Sequence, residues 1–574
     1  MLDLVLQQAG VSEPGFARKT VKWAITCTAD GQYTGVVSLG EGKGRGFDAC
    51  PNLSQPELIG GSEPRAHFLV EALPTVALYL DEKLNDKERE KFFAKHNWFV
   101  SLLRQAAQDA TYLEAVANLL DDAEALALIQ TDLKQAKAKF TEAAVVFVDS
   151  INPLERDDWR DWWRGFRASL RPPKVGGGQL MRCILTGEAI EPVATNPKIK
   201  GLAGVGGLSM GDVLAGFDKA AFQSYGLEQA ANAAMSEATA TAYAETLNRL
   251  ISDKSIKLGN TLATYWFTGQ DDIHAEDEVM SWFVEPPEQT TGAAEHRAHE
   301  LLTAIRTGQR ADLANARFVS LLLSGAAGRV MVREVMQGSF EELVAHTEAW
   351  FRDLSIVARD GKSCAHDPKF LAVAGSLVRD LKDLPSPWLQ QLWRAAISGG
   401  LIPAATLAQA VTRTRIDIIQ DTPASHARMA LIKAYLIRNR GDNNMKPYMN
   451  PDHPHPAYHC GRAIALFARL QRAALGDVGA GVVQRYYTAA SQTPGLILGR
   501  LAANAKNHLG KLDGGLAWWY ENQLAGIMSS IDDFVPRTLT LEEQSLFALG
   551  YYQQLASLNA GKQVTSEHES TPSN

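Results

Sequence analysis

The residues best suited to chemistry in this chain begin with "NPKIKGLAGVGG", 196–207, where Lys198 and Lys200 stand directly before four glycines. Lysine offers a point charge to a phosphate, and glycine lets a backbone approach one closely. Residue order excludes a nucleotide-hydrolysing P-loop, whose Lys-Ser/Thr must follow the last glycine and open a helix. Here the lysines come first and no Gly-Lys-Ser/Thr follows. A dinucleotide fold is excluded as well, because no parallel β-α-β pattern frames the glycines. Two readings stay open: a solvated loop, or a basic glycine-rich loop that approaches the phosphates of a nucleic acid.

"DHPHPAYHC", 452–460, gathers His453, His455, His459 and Cys460. Imidazole and thiolate bind zinc, but two short ligand knuckles separated by a longer loop are missing. The stretch reads as a turn entering a helix, and no metal is expected. No carboxylate/His set of a metal nuclease and no nucleophile-His-acid set stands out, so no catalytic residue is assigned. In "RDDWRDWWRGFRASLRPPK", 156–174, helical spacing brings Arg156, Arg160, Arg164, Arg167 and Arg171 into one arc beside Trp159, Trp162, Trp163, Phe166 and Leu170. Such a rail suits a phosphate backbone or an RNA-bearing partner. Equally, the aromatics are core and the arginines pair with Asp157, Asp158 and Asp161.

The elements that must position these residues belong to a chain of 574 residues, too long for one core, so two or more domains are expected. The net charge of −8 hides an asymmetry: from Arg413 to Lys511 there are 14 Lys/Arg against five Asp and no Glu. A basic block in an acidic chain is a footprint for a polyanion, or else a solvated helical face. Its densest part is Arg413, Arg415, Arg428, Lys433, Arg438, Arg440 and Lys446, with Arg462 and Arg469 following. Five scattered cysteines without a CxxC pair point to reduced thiols in a cytoplasm. No apolar run of about 18 residues suggests a membrane span, and the start lacks the pattern of a signal peptide.

Alternation of Val21, Trp23, Ile25 and Cys27 before Asp30-Gly31 predicts a hairpin over 21–39. A second hairpin is predicted around Gly187, a strand over 261–267, and a helix capped by Ser236. Apolar spacing of 3 to 4 predicts helices over 462–475 and 539–558. "RDGKSCAHDPK", 359–369, is apolar-poor and reads as a linker. The expected architecture is α+β: a mixed body with antiparallel hairpins over 1–365, an all-α bundle over 366–560, and a flexible tail over 561–574.

Seven blocks in order resemble one family: "RCILTGE" (182–188), "NPKIKG" (196–201), "FQSYGLEQAANAAMSEATATAYAETLNRLI" (222–251), "LGNTLATYWF" (258–267), "GRVMVREVMQGSFEEL" (328–343), "PAYHCGRAIALFARLQ" (456–471) and "LTLEEQSLFALGYYQQ" (539–554). The chain resembles the Csd1 family, the large subunit of the type I-C CRISPR interference complex (Cascade). The resemblance implies a binding protein rather than an enzyme, working with CRISPR RNA, complex backbone subunits, a crRNA-processing subunit, small subunits and a helicase-nuclease. It implies recognition of a short flanking motif (the PAM) in double-stranded target DNA, with guide RNA reading the rest. Lys198, Lys200 and Gly201 would then meet DNA, and the amides of Gln229 and Asn232 could read base edges or brace their own loop. Arg160, Arg164, Arg167, Arg171, Arg413, Arg415, Arg438, Arg440, Arg462 and Arg469 would contact nucleic-acid or partner backbone. The resemblance also implies that a small subunit arises from an internal start, for which Met445 and Met449 are suitably placed. A scaffold that binds only proteins is the alternative.

Overall fold

In the computed structural model, the described residues are 1–560 apart from 11–12, 43, 60–63, 150, 171–179, 269–278, 287–291, 479–480 and 532–533. The chain divides into two compact units, Met1–Ser255 with Ser324–Met331, and Ile256–Leu323 with Val332 onward.

In the first unit, strands β1 (Phe16–Val21) and β4 (Arg45–Pro51) form an antiparallel pair. The alternation read at 21–39 becomes the hairpin of β2 (Trp23–Cys27) and β3 (Tyr33–Ser38), in register from Trp23↔Ser38 to Cys27↔Tyr33. β2 also pairs in parallel with β6 (Ala143–Val148), and β5 (Glu71–Ala72) adds an antiparallel edge. Helices α1 (Asp86–Ala106), α2 (Tyr112–Asp121) and α3 (Ala123–Gln135) fill the crossover between β5 and β6. Asn85 and Glu88 close a reciprocal capping box at the start of α1. Helix α4 (Arg160–Ser169) follows, then the hairpin of β7 (Met181–Arg182) and β8 (Ala189–Ile190) around Gly187. Short strands β9 (Lys198–Ile199) and β10 (Asp212–Val213) precede α5 (Glu237–Asp253), whose cap is Ser236: its hydroxyl accepts the Thr239 N–H.

Next come β11 (Ser255–Leu258), β12 (Thr261–Thr268), β13 (Arg317–Ala326) and β14 (Arg329–Ser339), with α6 (Ala293–Arg306) between β12 and β13; of these, Ser255 and Ser324–Met331 count with the first unit and the rest with the second. Then come α7 (Phe340–Leu354), α8 (Ser386–Ser398), α9 (Ala404–Ile419), α10 (His426–Arg440), α11 (Pro456–Leu475), α12 (Val482–Ala490), α13 (Pro494–Leu509), α14 (Gly514–Ser529) and α15 (Leu541–Ala560). The architecture is α+β with a helix-rich C-terminal region.

The division falls at Ser255 rather than at 365, and packing explains the difference. Phe318, Phe340 and Trp350 share one buried cluster with Trp393, Tyr458 and Phe547, so 256–365 cannot be separated from the helices that follow. The stretch read as a linker is part of this unit: Ala365 N–H donates to Ile356 O, Phe370 N–H to Phe283 O, and the Asn559 amide to Arg359 O. Residues 561–574 lie outside the described residues. Among the described residues no helix is long and apolar enough to cross a membrane.

Candidate nucleic-acid interface

The lysine-glycine stretch is a built structure rather than a free loop. Ile199 is buried, and β9 pairs antiparallel with β10, placing Lys198 opposite Val213. Val213 pairs in parallel with Arg329 on its other side. Lys198, Val213 and Arg329 thus lie in one row across three strands, the outer two backbone positions about 10 Å apart at two strand spacings, with side chains on the same face. The glycines have a different task from the one expected of them. Gly206 and Gly207 press backbone-to-backbone on Gly325, where a Cβ would stand 2.1 Å from the Gly207 Cα. The buried Asp212 carboxylate accepts the Leu208 N–H, which closes the loop. Gly204 is exposed.

Helix α5 sets the position of Lys200. Its Glu245 accepts the Arg18 N–H at 3.0 Å, and one turn later Asn248 accepts the Lys200 N–H at 2.7 Å. Gly201, at φ +91°, lies so close to Ile251 that a Cβ would stand 2.5 Å from its methyl group. One stripe of the helix therefore holds Arg18-Lys19 and Lys200-Gly201 side by side. The electrostatics register this: burial brings the Lys19 ammonium down to about 8, with Glu71 pulling against it and Lys200 acting in the same direction as burial. Burial also holds the His67 imidazole well below its usual range, with Lys19, Lys200 and Lys95 adding to the effect. Glu245 is raised by burial in the same cluster. Lys198 and Lys200 have no ion pair among the described residues.

The loop after β10 presents Gln229 and Asn232 differently. The Asn232 amide accepts the Ser224 N–H and donates to the Leu227 and Gln229 carbonyls, so it braces its own loop. Gln229 is exposed at φ +43°, and its side-chain amide has no partner among the described residues. Of the two amides, Gln229 alone is left open to solvent, while Asn232 shapes the loop that carries it.

The arginine rail of α4 resolves toward internal pairing. Trp159 and Trp163 are fully buried, and Phe68 stacks on Trp163. Arg160 pairs with Asp157, and Arg164 with Glu13 and Asp161. Arg167 is buried between Glu57 and Glu237. Arg171 lies outside the described residues. Surface charge on this helix is therefore largely neutralised within the unit.

The basic block needs a similar correction. Arg413 and Arg428 share the buried Asp417, at 3.0 and 2.6 Å. Arg415 donates to Ser491 and Gln544, and Arg440 pairs with Glu542. Arg438 is buried against Asp353 and also donates to the Ala395 carbonyl. Lys433, held down at about 8 by burial, caps the α7 carbonyls of Arg352 and Asp353. Arg462 donates to Gln554 and to His459, and Arg469 to the Leu558 carbonyl. These cations tie helices together, since a buried charge must be paired or hydrogen-bonded. Further surface cations lie where no acid occurs between Val478 and Leu512. Arg485, Arg500, Lys506 and Lys511 are exposed there, and Arg500, Asn504 and Asn507 follow one face of α13. Exposed Trp518 lies on α14, which packs against α13. Charge sign alone could not find this face; the missing acids could have.

The histidines of 452–460 serve the entry to α11. The His455 Nδ1 accepts the Ala457 N–H as the cap, and His453 accepts the His455 N–H. His459 donates from Nε2 to the His453 carbonyl and accepts from Arg462, and burial holds it at about 4. Cys460 is buried. Of the two methionines considered as starts, Met445 is buried and Met449 half-buried, in a segment pinned to α15 by Gln553 donating to the Lys446 and Pro447 carbonyls.

The family model described as CRISPR-associated protein (Cas_Csd1) matches residues 3–558. No curated protein matches the chain.

Proposed function

The chain belongs to the Csd1 family of CRISPR-associated proteins, and from that premise we propose that it is the non-catalytic large subunit of a type I-C interference complex in the cytoplasm. Its first unit meets the PAM duplex and helps to open it for guide RNA pairing. Its second unit guides a displaced strand and helps to recruit the helicase-nuclease. The CRISPR RNA, the backbone subunits, the crRNA-processing subunit and small subunits are its other partners. The observation that carries the reading is the pair of lysines, Lys198 and Lys200, which have no ion pair among the described residues and are held on a sheet frame with Arg329 in the same row and Gln229 exposed in the loop beyond. Lysines fixed in this way position a phosphate backbone, and an exposed amide both donates and accepts at a base edge. The acid-free face of α13 suits a single strand in the same way, with cations beside aromatic rings.

Lys198→Ala with Lys200→Ala is expected to weaken duplex binding by the assembled complex on the order of tenfold and to lower the slope of log K against log salt by about 2. Filter binding over a salt series reads both, and an unchanged slope would remove these lysines from the DNA path. The internal start is part of the same reading. A product beginning at Met449 would have 126 residues and keep α11 to α15. Mass spectrometry of the products of the unmodified reading frame is expected to show it, and its survival after replacement of both methionine codons would reject these starts.

A further inference from the structure

We propose that Tyr225 is a stacking platform for an unpaired nucleobase, a role that rests on the reading of the first unit as a duplex-binding body. Tyr225 is 99% exposed, so its ring has almost no contact within the protein. Its backbone is equally unusual. Leu227 N–H donates to the Ser224 carbonyl at 2.9 Å, and the two central residues, Tyr225 and Gly226, have φ of +55° and +71°. A turn with two left-handed central residues ordinarily takes Asn-Gly or Gly-Gly, because a bulky side chain crowds its own backbone there. A large aromatic is thus held in a conformation it disfavours, at a tip where it packs on nothing. Strain of this kind persists only where the surroundings fix it. The three bonds of the Asn232 amide, to Ser224, Leu227 and Gln229, do so.

Phe222 lies under the Arg329 guanidinium at 4.3 Å, and Asp218 holds that guanidinium at 2.6 Å. Arg329 shares its strand row with Lys198. An exposed ring in a body that also presents cations is the pairing by which single-stranded nucleic acid is held without regard to sequence. In a closed duplex the flat faces of the bases are covered by their neighbours. The platform therefore acts where a base has left the stack, at an opened step beside the bound duplex.

The test uses the purified full chain and two DNA duplexes of equal length. One carries 2-aminopurine in a base pair, the other carries it as a single bulged base. The wild type is expected to bind both and to quench the bulged probe. Tyr225→Ala is expected to bind the paired duplex as the wild type does, to bind the bulged duplex roughly tenfold more weakly, and to lose the quenching. Tyr225→Phe, which keeps the ring and loses the hydroxyl, is expected to behave as the wild type. Quenching unchanged in Tyr225→Ala, or lost equally in Tyr225→Phe, would overturn the proposal. A wild type that binds the paired duplex but leaves the bulged probe bright overturns it too, while leaving duplex recognition intact. Failure of the wild type to bind either duplex overturns both.

Discussion

Gly461→Ala is expected to lower the unfolding temperature of the chain, although alanine is the better helix former. Helices α11 and α15 cross with backbone in contact at two glycines. A Cβ on Gly461 would stand 2.0 Å from the Phe547 carbonyl oxygen, and one on Gly550 would stand 2.0 Å from that of Tyr458. Both obstacles are main chain of a buried helix, so no side-chain rotation relieves them. The helices must move apart, which loosens the bond from Tyr458 Oη to Gln553 at 2.6 Å and the one from Arg462 to Gln554 at 2.9 Å. Overpacking of this kind costs about 1–3 kcal/mol and sometimes more. The gain in helix propensity is about 1 kcal/mol and opposes it. Here the clash wins, because separation disturbs the whole length over which two 20-residue helices pack. Scanning calorimetry of the purified chain is expected to show a drop of about 1–3 °C. Gly461→Leu should abolish soluble protein. A Gly461→Ala chain that melts at or above the wild-type temperature would show that the two backbones do not meet as described.

What could be read from the sequence was local. The hairpin at Asp30-Gly31 and the Ser236 cap follow from period-2 alternation and from one hydroxyl before a helix, which neighbours in sequence decide. The domain boundary was not legible, because it depends on Phe340 and Trp350 meeting Trp393 and Tyr458, contacts that no local pattern encodes. The arginine arc read over 156–171 was open as a function. What decided it were acids far off in the chain, such as Glu13, 151 residues before Arg164. Arg438 likewise meets Asp353, 85 residues away. The glycines after Lys200 invited a phosphate reading because their partner, Gly325, lies in another hairpin. Lys198 and Lys200 were visible as candidates, but Arg329, Lys19 and Tyr225 were not. The row that joins Arg329 to Lys198 exists only once β10 is inserted between them.

Discrimination between duplexes is the second large effect expected, and it bears on the central claim. If the first unit reads a flanking motif, each wrong base pair should cost about 1–3 kcal/mol. A motif of a few base pairs then separates matched from unmatched targets on the order of 100-fold, before any pairing by guide RNA is compared. Gln229→Ala should bring this ratio down toward one, because it removes the exposed amide, while the lysines keep non-specific affinity within about threefold. Gel-shift titration of the assembled complex, with two duplexes that share the guide-complementary stretch and differ only in the flanking motif, measures the ratio. The account predicts a wild-type ratio on the order of 100 that collapses in Gln229→Ala. A wild-type ratio of one would contradict it, and would leave the chain as a scaffold that binds only proteins.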